Sequence, residues 1–309
     1  MNNKILIMMS TYNGEKFLIE QLESILNQTF DNFKLMIRDD GSKDKTKEIL
    51  KYYKKKNPKK IEIIYGKNCG AKNSFLKLLT NCSDEYRFYA FADQDDIWKS
   101  NKLELAINKI QRNDNIPFLY FSNYDIVTEN LTFVRKGYIK SKKIFSLENS
   151  LVQCMGLGCT MVFNKKLLDI IKIKQYDYED IIMHDYWIYF IATTFGKIYL
   201  DYESTLLYRQ HGKNVYGATI SRRKKIKNLL TRINRSNSLS KYRNQSVKFL
   251  KIYENYLEEN KKEILKKFIH KGNFISRFYN ILKKRVIFNN KSNYLVKNIK
   301  AFYFILNRE

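Results

Sequence analysis

The side chains of this chain best equipped for chemistry are acidic, and they are grouped. Asp93-Gln94-Asp95-Asp96 puts three carboxylates into four positions, and Asp39-Asp40-Gly41-Ser42 sets two side by side. Like charges this close raise one another's pKa unless something neutralises them. A divalent cation does so, and Mg²⁺ or Mn²⁺ prefers one or two carboxylates together with phosphate oxygens and water. A lone D-x-D also arises at helix N-termini, so Asp95 or Asp96 could instead cap a helix starting near Lys99. Two later groups extend the set. His184-Asp185-Tyr186-Trp187 opens a helix, where Asp185 could serve only as a cap or dipole partner. Arg209-Gln210-His211-Gly212 supplies His211, whose neutral imidazole suits Mn²⁺ beside carboxylates.

The usual glycine-rich phosphate cradles are missing. No G-x-G-x-x-G follows the first apolar run, and no G-x-x-x-x-G-K-[ST] occurs anywhere. A dinucleotide dehydrogenase and a P-loop enzyme both lose their main support. Bound phosphates would be held by metal and scattered donors.

Strands and helices must bring these groups together. Ile5 to Met9 is an unbroken apolar run suited to a buried parallel strand. Phe33 to Ile37, Ile61 to Tyr65 and Phe88 to Ala92 read as further strands. Between them, Glu15 to Phe30, Asp44 to Tyr53 and Asn73 to Leu79 have helical spacing, and Lys99 to Gln111 follows the fourth strand. This alternation predicts an α/β fold with an open, mostly parallel sheet flanked by helices. Ligands of such sheets bind outside the carboxyl ends of the strands, where Asp39-Asp40 and Asp93 to Asp96 both fall. Further on, Leu119 to Tyr124, Cys159 to Phe163, Lys197 to Leu200 and Thr205 to Tyr208 predict more strands. Asn164 is placed to cap a helix over Lys165 to Ile171, and Asp185 to Phe195 predicts a helix closed by Gly196.

Composition bounds the rest. The 309 residues are 44% hydrophobic and 15% aromatic, enough for a core and against wholesale disorder. Four cysteines at 69, 82, 154 and 159 form no C-x-x-C pair, which argues against a zinc cluster. The apolar N-terminal run stops at Ser10, too short for a signal-peptide core, and no segment approaches the roughly 18 apolar residues of a spanning helix. The expectation is a cytoplasmic protein, or one peripheral on the inner face of the plasma membrane. The net charge of +26 is uneven: residues 219–309 hold 24 basic and 5 acidic residues. Two regions are expected, a near-balanced domain over 1–218 and a basic, helical C-terminal region over 219–309, with helices over Tyr242 to Leu257 and around Phe274 to Leu282.

Taken together, Ser10-Thr11-Tyr12-Asn13-Gly14-Glu15, Gln28-Thr29-Phe30, Asp39-Asp40-Gly41-Ser42-Lys43-Asp44, Asp93-Gln94-Asp95-Asp96-Ile97-Trp98, His184-Asp185-Tyr186-Trp187 and Arg209-Gln210-His211 make the chain resemble glycosyltransferase family 2, in its rhamnosyltransferase-like bacterial branch. The motifs run in order over roughly residues 4 to 216. The resemblance implies a GT-A fold and inverting transfer of a sugar from a nucleotide-diphosphate donor, dTDP-rhamnose or a UDP-hexose. It places Ser10, Thr11, Tyr12, Glu15 and Asp40 around the base and ribose, with Asp40 accepting from a pyrimidine N–H. It puts Asp93 at the ribose or diphosphate, and Asp95 and His211 on a Mn²⁺ or Mg²⁺ ion bridging the phosphates. It makes Asp185 the base that takes the proton of the incoming hydroxyl. Lys72 and Asn73 are candidates to touch the nucleotide, and Trp98 and Trp187 to stack on a sugar or fill the core.

The acceptor implied is a hydroxyl of a growing glycan, polyprenyl-linked or free. For the basic C-terminal region the readings are a solvated helical face or peripheral association with an anionic membrane, with nucleic acid less favoured. Two other functions remain open on the sequence: a sugar nucleotidyltransferase, and a non-enzymatic basic binding protein.

Overall fold

An apolar strand with no polar face has to be covered on both sides, and the first strand is. In the computed structural model, which describes residues 4–137, 145–212 and 237–270, β1 (Ile5–Thr11) lies between β2 (Phe33–Asp39) and β4 (Phe88–Ala92), parallel to both. The next strand out, β3 (Ile61–Tyr65), is an edge and leaves Glu62, Ile64 and Tyr65 exposed. Helices α1 (Leu18–Leu26), α2 (Thr46–Lys56), α3 (Gly70–Asn81) and α4 (Lys102–Ile110) connect and flank these strands. Leu18, Leu22 and Ile25 of α1, Leu50 of α2 and Leu103, Ala106 and Ile107 of α4 join one core with Ile5, Ile7 and Met9.

The second half extends the same sheet, as expected. The strand order is β3-β2-β1-β4-β8-β6-β9-β5, with β7 paired to β6. Here β5 is Ile97–Trp98, β6 Phe118–Val127, β7 Phe133–Gly137, β8 Met161–Asn164 and β9 Lys197–Arg209. The short β5 and β7 carry no periodicity long enough to announce them. The two strands expected over Lys197 to Tyr208 are one. Its polar middle, Asp201 to Glu203, is absorbed by a register shift against β6, where Asn123 donates to the Tyr202 carbonyl at 3.1 Å.

Directions along the sheet decide where the functional groups lie. β8 runs antiparallel to both β4 and β6, and β9 runs parallel to β6. The carboxyl ends of β1, β2, β4, β6 and β9 therefore share one edge of the sheet, together with the amino end of β8. Helix α7 (His184–Phe195) feeds directly into β9, so its own N-terminus returns to that edge. Asn164 caps α6 (Lys165–Ile171) as predicted, accepting from the Leu167 N–H at 3.1 Å. Gly196 does close α7, but in extended backbone rather than a left-handed cap; a Cβ there would stand 2.2 Å from the Pro117 carbonyl oxygen. Close approach of two chains explains this glycine, not a special φ.

The chain divides into two compact units. One comprises Met1–Phe145 and Gln153–Ala218, and the other comprises Ser146–Val152 and Thr219–Glu309. Within the second, α5 spans Leu147–Ser150, α8 Asn237–Tyr253 and α9 Glu259–Ile269. Phe249 and Tyr253 of α8 and Leu265 and Phe268 of α9 are buried. The helix expected around Phe274 to Leu282 lies outside the described residues. No helix among those described is long and apolar enough to cross a membrane.

Candidate active site

The acidic loop leaves β4 at Ala92 and runs straight into β5, so α4 starts only at Lys102, with no side-chain cap. Asp95 and Asp96 are thus not spent on a helix N-terminus. Asp95 Oδ2 lies 2.8 Å from His211 Nε2, although 116 residues separate them, because β9 delivers His211 to the same edge. Arg209 braces this junction. Its Nε donates to the Asp95 carbonyl at 2.9 Å, its backbone N–H to Asp96 Oδ1 at 3.2 Å, and its guanidinium pairs with Glu20 and lies over the Phe17 ring.

Behind this pair the carboxylates are desolvated. Donor atoms of Asp93, Asp96 and Cys159 all lie within 4.8 Å of one another. Burial, then the fields of Asp95 and Asp185, push Asp93 up to about 7. Burial and the neighbouring acids push Asp96 well above the usual carboxylate range, and its Oδ2 has no hydrogen-bond partner. Burial also raises the Cys159 thiol, so it stays protonated. A second cation nearby, besides Arg209, is Lys102, fully buried, its ammonium 4.8 Å from the centre of the Trp98 ring and 3.5 Å from Thr205 Oγ1. Burial lowers its pKa to about 8, opposed by the fields of Cys159 and Asp96.

Asp185 occupies the first turn of α7, half-buried. One oxygen accepts from the Tyr186 N–H at 2.7 Å and the other from the Gly158 N–H at 3.1 Å. These bonds fix the carboxylate at the sheet edge, close enough for its field to act on Asp93. Its neighbour His184 is buried between Phe75, stacked at 4.1 Å, and Phe91, and burial lowers its pKa to about 4.

The loops expected to hold the nucleotide are stitched together. Ser10 Oγ donates to Ser74 Oγ at 2.6 Å, and the Thr11 carbonyl accepts from the Asp40 N–H at 2.8 Å. Tyr12 is exposed. Its backbone N–H and C=O bond the side-chain amide of Gln94 at 2.9 and 3.1 Å. Asp39 is buried and accepts from the Ser42 N–H at 2.8 Å.

Two residues expected at the nucleotide are engaged by donors of the protein itself. Asp40 is buried against Arg38, the Cys69 N–H at 3.0 Å and the Gly70 N–H at 2.8 Å. Burial alone would raise its pKa, but these donors, Arg38 foremost, hold it below the usual range. Both of its oxygens are thus bonded within the protein. Glu15 is exposed and accepts from the Lys45 N–H at 2.9 Å, joining the β1 loop to the start of α2. Lys72 bonds the Tyr178 carbonyl and Asn73 the Cys69 carbonyl. Trp98 and Trp187 are both buried, and the Trp187 indole donates to Tyr176, so both are core residues rather than sugar platforms.

The sequence reading passed over Arg38, Gln94, Lys102 and Cys159. Arg38 left a signal: an arginine inside an apolar strand just ahead of two aspartates has to find one of them. Lys102 left none, because lysine is everywhere in this chain.

Comparison with known proteins is decisive at this point. The description Glycosyl transferase family 2 matches residues 6–170. The chain belongs to this family. A dTDP-rhamnosyl transferase of Shigella flexneri, RfbG, is 32% identical over 235 residues, covering 72% of this chain and 78% of its own. The Escherichia coli UDP-Glc:alpha-D-GlcNAc-diphosphoundecaprenol beta-1,3-glucosyltransferase WfgD is 36% identical over 165 residues, 53% of this chain and 61% of its own. Among solved structures, S. aureus TarS 1–349 superposes with a TM-score of 0.58 at 19% identity, over 91% of this chain and 73% of that one. The Pyrobaculum calidifontis mannosyltransferase PcManGT, in complex with GDP-Man and Mn²⁺, does so at 0.53 and 12%, over 99% and 88%. The fold is GT-A, and the protein is a glycosyltransferase of the nucleotide-sugar-using kind. The nucleotidyltransferase and non-enzymatic readings are set aside.

Proposed function

We propose that this transferase moves a sugar, with inversion, from a nucleoside diphosphate donor to a hydroxyl of a lipid-linked glycan, and that the donor is dTDP-rhamnose. The observation that carries the reading is the meeting of Asp93, Asp95 and His211 with Asp185 along one sheet edge, although the four come from β4, β9 and α7. The similarity to RfbG over most of both chains favours rhamnose, and WfgD's diphosphoundecaprenol substrate favours the lipid-linked acceptor.

The residues fit a divalent cation. Asp95 Oδ2 and His211 Nε2 already meet at 2.8 Å, and a carboxylate beside an imidazole is a donor set that Mn²⁺ accepts. These two side chains would hold the ion, which supplies positive charge to the departing diphosphate. Asp93, desolvated beside them, would face the ribose or diphosphate. Ser10, Thr11 and Tyr12 would line the base and ribose, while Asp40 and Glu15 hold the pocket wall from behind.

Asp185 performs the proton transfer. The acceptor oxygen attacks the anomeric carbon, its proton passes to the Asp185 carboxylate, and the bond to the diphosphate oxygen breaks with its electron pair leaving on the diphosphate. One displacement inverts the centre and needs no second carboxylate nucleophile. The Gly158 and Tyr186 N–H groups hold Asp185 in place and leave its outer lone pairs for the acceptor.

The test is turnover of dTDP-rhamnose and UDP-hexoses with a polyprenyl-diphosphate-linked acceptor and Mn²⁺ or Mg²⁺. The expected result is release of dTDP, with Asp185→Asn reducing kcat at least a thousandfold while dTDP still binds. Loss of nucleotide binding in Asp185→Asn would sink its assignment as base. Preference for UDP-glucose would replace the donor, and indifference to EDTA would remove the cation.

A further inference from the structure

The acidic loop contains one residue that is not an acid, and its side chain points away from the carboxylates. Gln94 reaches across from the end of β4 to the end of β1. Its Oε1 accepts from the Tyr12 N–H at 2.9 Å and its Nε2 donates to the Tyr12 carbonyl at 3.1 Å. A side-chain amide that matches both polar groups of one residue does what a paired strand would do: it fixes the backbone of that residue. Tyr12 lies past the end of β1, beyond the last paired residue, so no sheet ladder holds it.

The loop is shaped around this contact. Gly14 is buried, and a Cβ there would stand 2.3 Å from Gln94 Oε1 and 2.7 Å from its Cδ. Any larger residue at 14 would have to push the amide off Tyr12. From the other side, the buried Gln21 of α1 donates to the Asp93 carbonyl at 2.8 Å, so the base of the acidic loop is anchored before Gln94 extends from it.

We infer that Gln94 is a positioning residue for the nucleotide: it locks the Tyr12 backbone to the acidic loop, so that the exposed Tyr12 ring meets the donor's base at a set distance from the groups that meet its diphosphate. This rests on the donor-binding reading given above. An aromatic ring offers area to a nucleobase at low entropic cost only if its backbone is already fixed. With the clamp gone, the ring and the Asp93–Asp95 loop are no longer held at the spacing of one nucleoside diphosphate.

Calorimetric titration of the whole protein with UDP and with dTDP in Mn²⁺ buffer tests this. Gln94→Ala and Gln94→Met are expected to weaken the better-bound diphosphate about tenfold. The donor KM should rise in the same proportion, with kcat at saturating donor within threefold of wild type and the melting temperature little changed. Gly14→Ala should give a similar weakening, because it displaces the amide. The double variant Gly14→Ala/Gln94→Ala should be no weaker than Gln94→Ala alone, because the clash has lost its object. Binding by Gln94→Ala within twofold of wild type would overturn the inference, as would two losses that multiply to about a hundredfold. If the wild-type protein binds neither diphosphate, the donor-binding reading itself falls, and this inference with it; binding by wild type and Gln94→Ala alike defeats only the role of Gln94.

Discussion

His184 and Lys102 are buried bases, and burial disfavours the charged form of each. In the unfolded chain His184 takes up a proton near pH 6.5. In the folded protein burial holds it neutral down to about 4, the field of Asp185 opposing this only in part. Its contribution is therefore complete above pH 6.5 and is lost as the pH falls towards 4, at up to about 1.4 kcal/mol per pH unit. His184→Leu keeps apolar volume between Phe75 and Phe91 and removes the titration. Relative to wild type, that variant should gain about 2 kcal/mol between pH 7 and pH 5 in urea unfolding; parallel pH profiles would show that His184 already finds a proton acceptor. Lys102 puts a positive charge inside the acidic cluster. Lys102→Met should cost about 1–3 kcal/mol without metal, since the buried Asp96 loses a cation whose field it feels. The same variant should show a larger Mn²⁺-induced rise in melting temperature than wild type, because the cation then does the neutralising alone.

At the scale of elements, Asn164 is where two pieces of the sheet and one helix are tied by a single side chain. It caps α6 through Leu167, accepts from the Phe118 N–H at 3.0 Å at the start of β6, and donates to the Ile116 carbonyl at 2.7 Å. Loss of a cap alone costs about 1–2 kcal/mol. Asn164→Ala should cost at least that in denaturant unfolding and leave the donor KM unchanged, because Asn164 lies at the edge of the sheet opposite the site. This cap was legible in the sequence, as were β1, β3 and β4, because their signals are local: a capping residue before a helical repeat, an unbroken apolar run. The placement of the acidic loop was legible for the same reason, since a strand that ends in aspartates shows where they go. The inward turn of Asp40 was not legible. Its partners Cys69 and Gly70 sit about thirty positions away, and only the packing of α3 against β1 and β2 brings those N–H groups to it. Nor was the continuity of β9, whose polar middle reads as a turn until Asn123 of β6 is seen bonding to it.

At the scale of the molecule, the charge is more uneven than the division at residue 218 suggests. Residues 237–270 hold four of the five acidic residues of the C-terminal region, and several pair with lysines: Glu258 with Lys261, Glu259 with Lys262, Glu263 with Lys267 and Glu254 with Lys266. The stretches 219–236 and 271–309 carry the other sixteen basic residues against a single acid, interleaved with Ile and Leu in the first and with Phe, Tyr and Ile in the second. A transferase with the lipid-linked acceptor proposed above would work at a membrane surface, and basic stretches interleaved with apolar residues suit an anionic one. Each lysine or arginine near such a surface contributes about 1 kcal/mol. The full-length protein should therefore sediment with vesicles containing phosphatidylserine or cardiolipin at low salt. It should be released as ionic strength rises, since screening shortens from about 30 Å at 0.01 M to about 3 Å at 1 M. Changing Arg222, Arg223, Lys224, Lys225 and Lys227 together to Gln removes five charges. Even half of their combined contribution is a loss of more than tenfold in partitioning. Transfer to a water-soluble acceptor should be untouched by that change, while transfer to an acceptor embedded in vesicles falls with the binding. Equal vesicle binding by the two proteins would show that the charges at 222–227 do not carry the membrane contact.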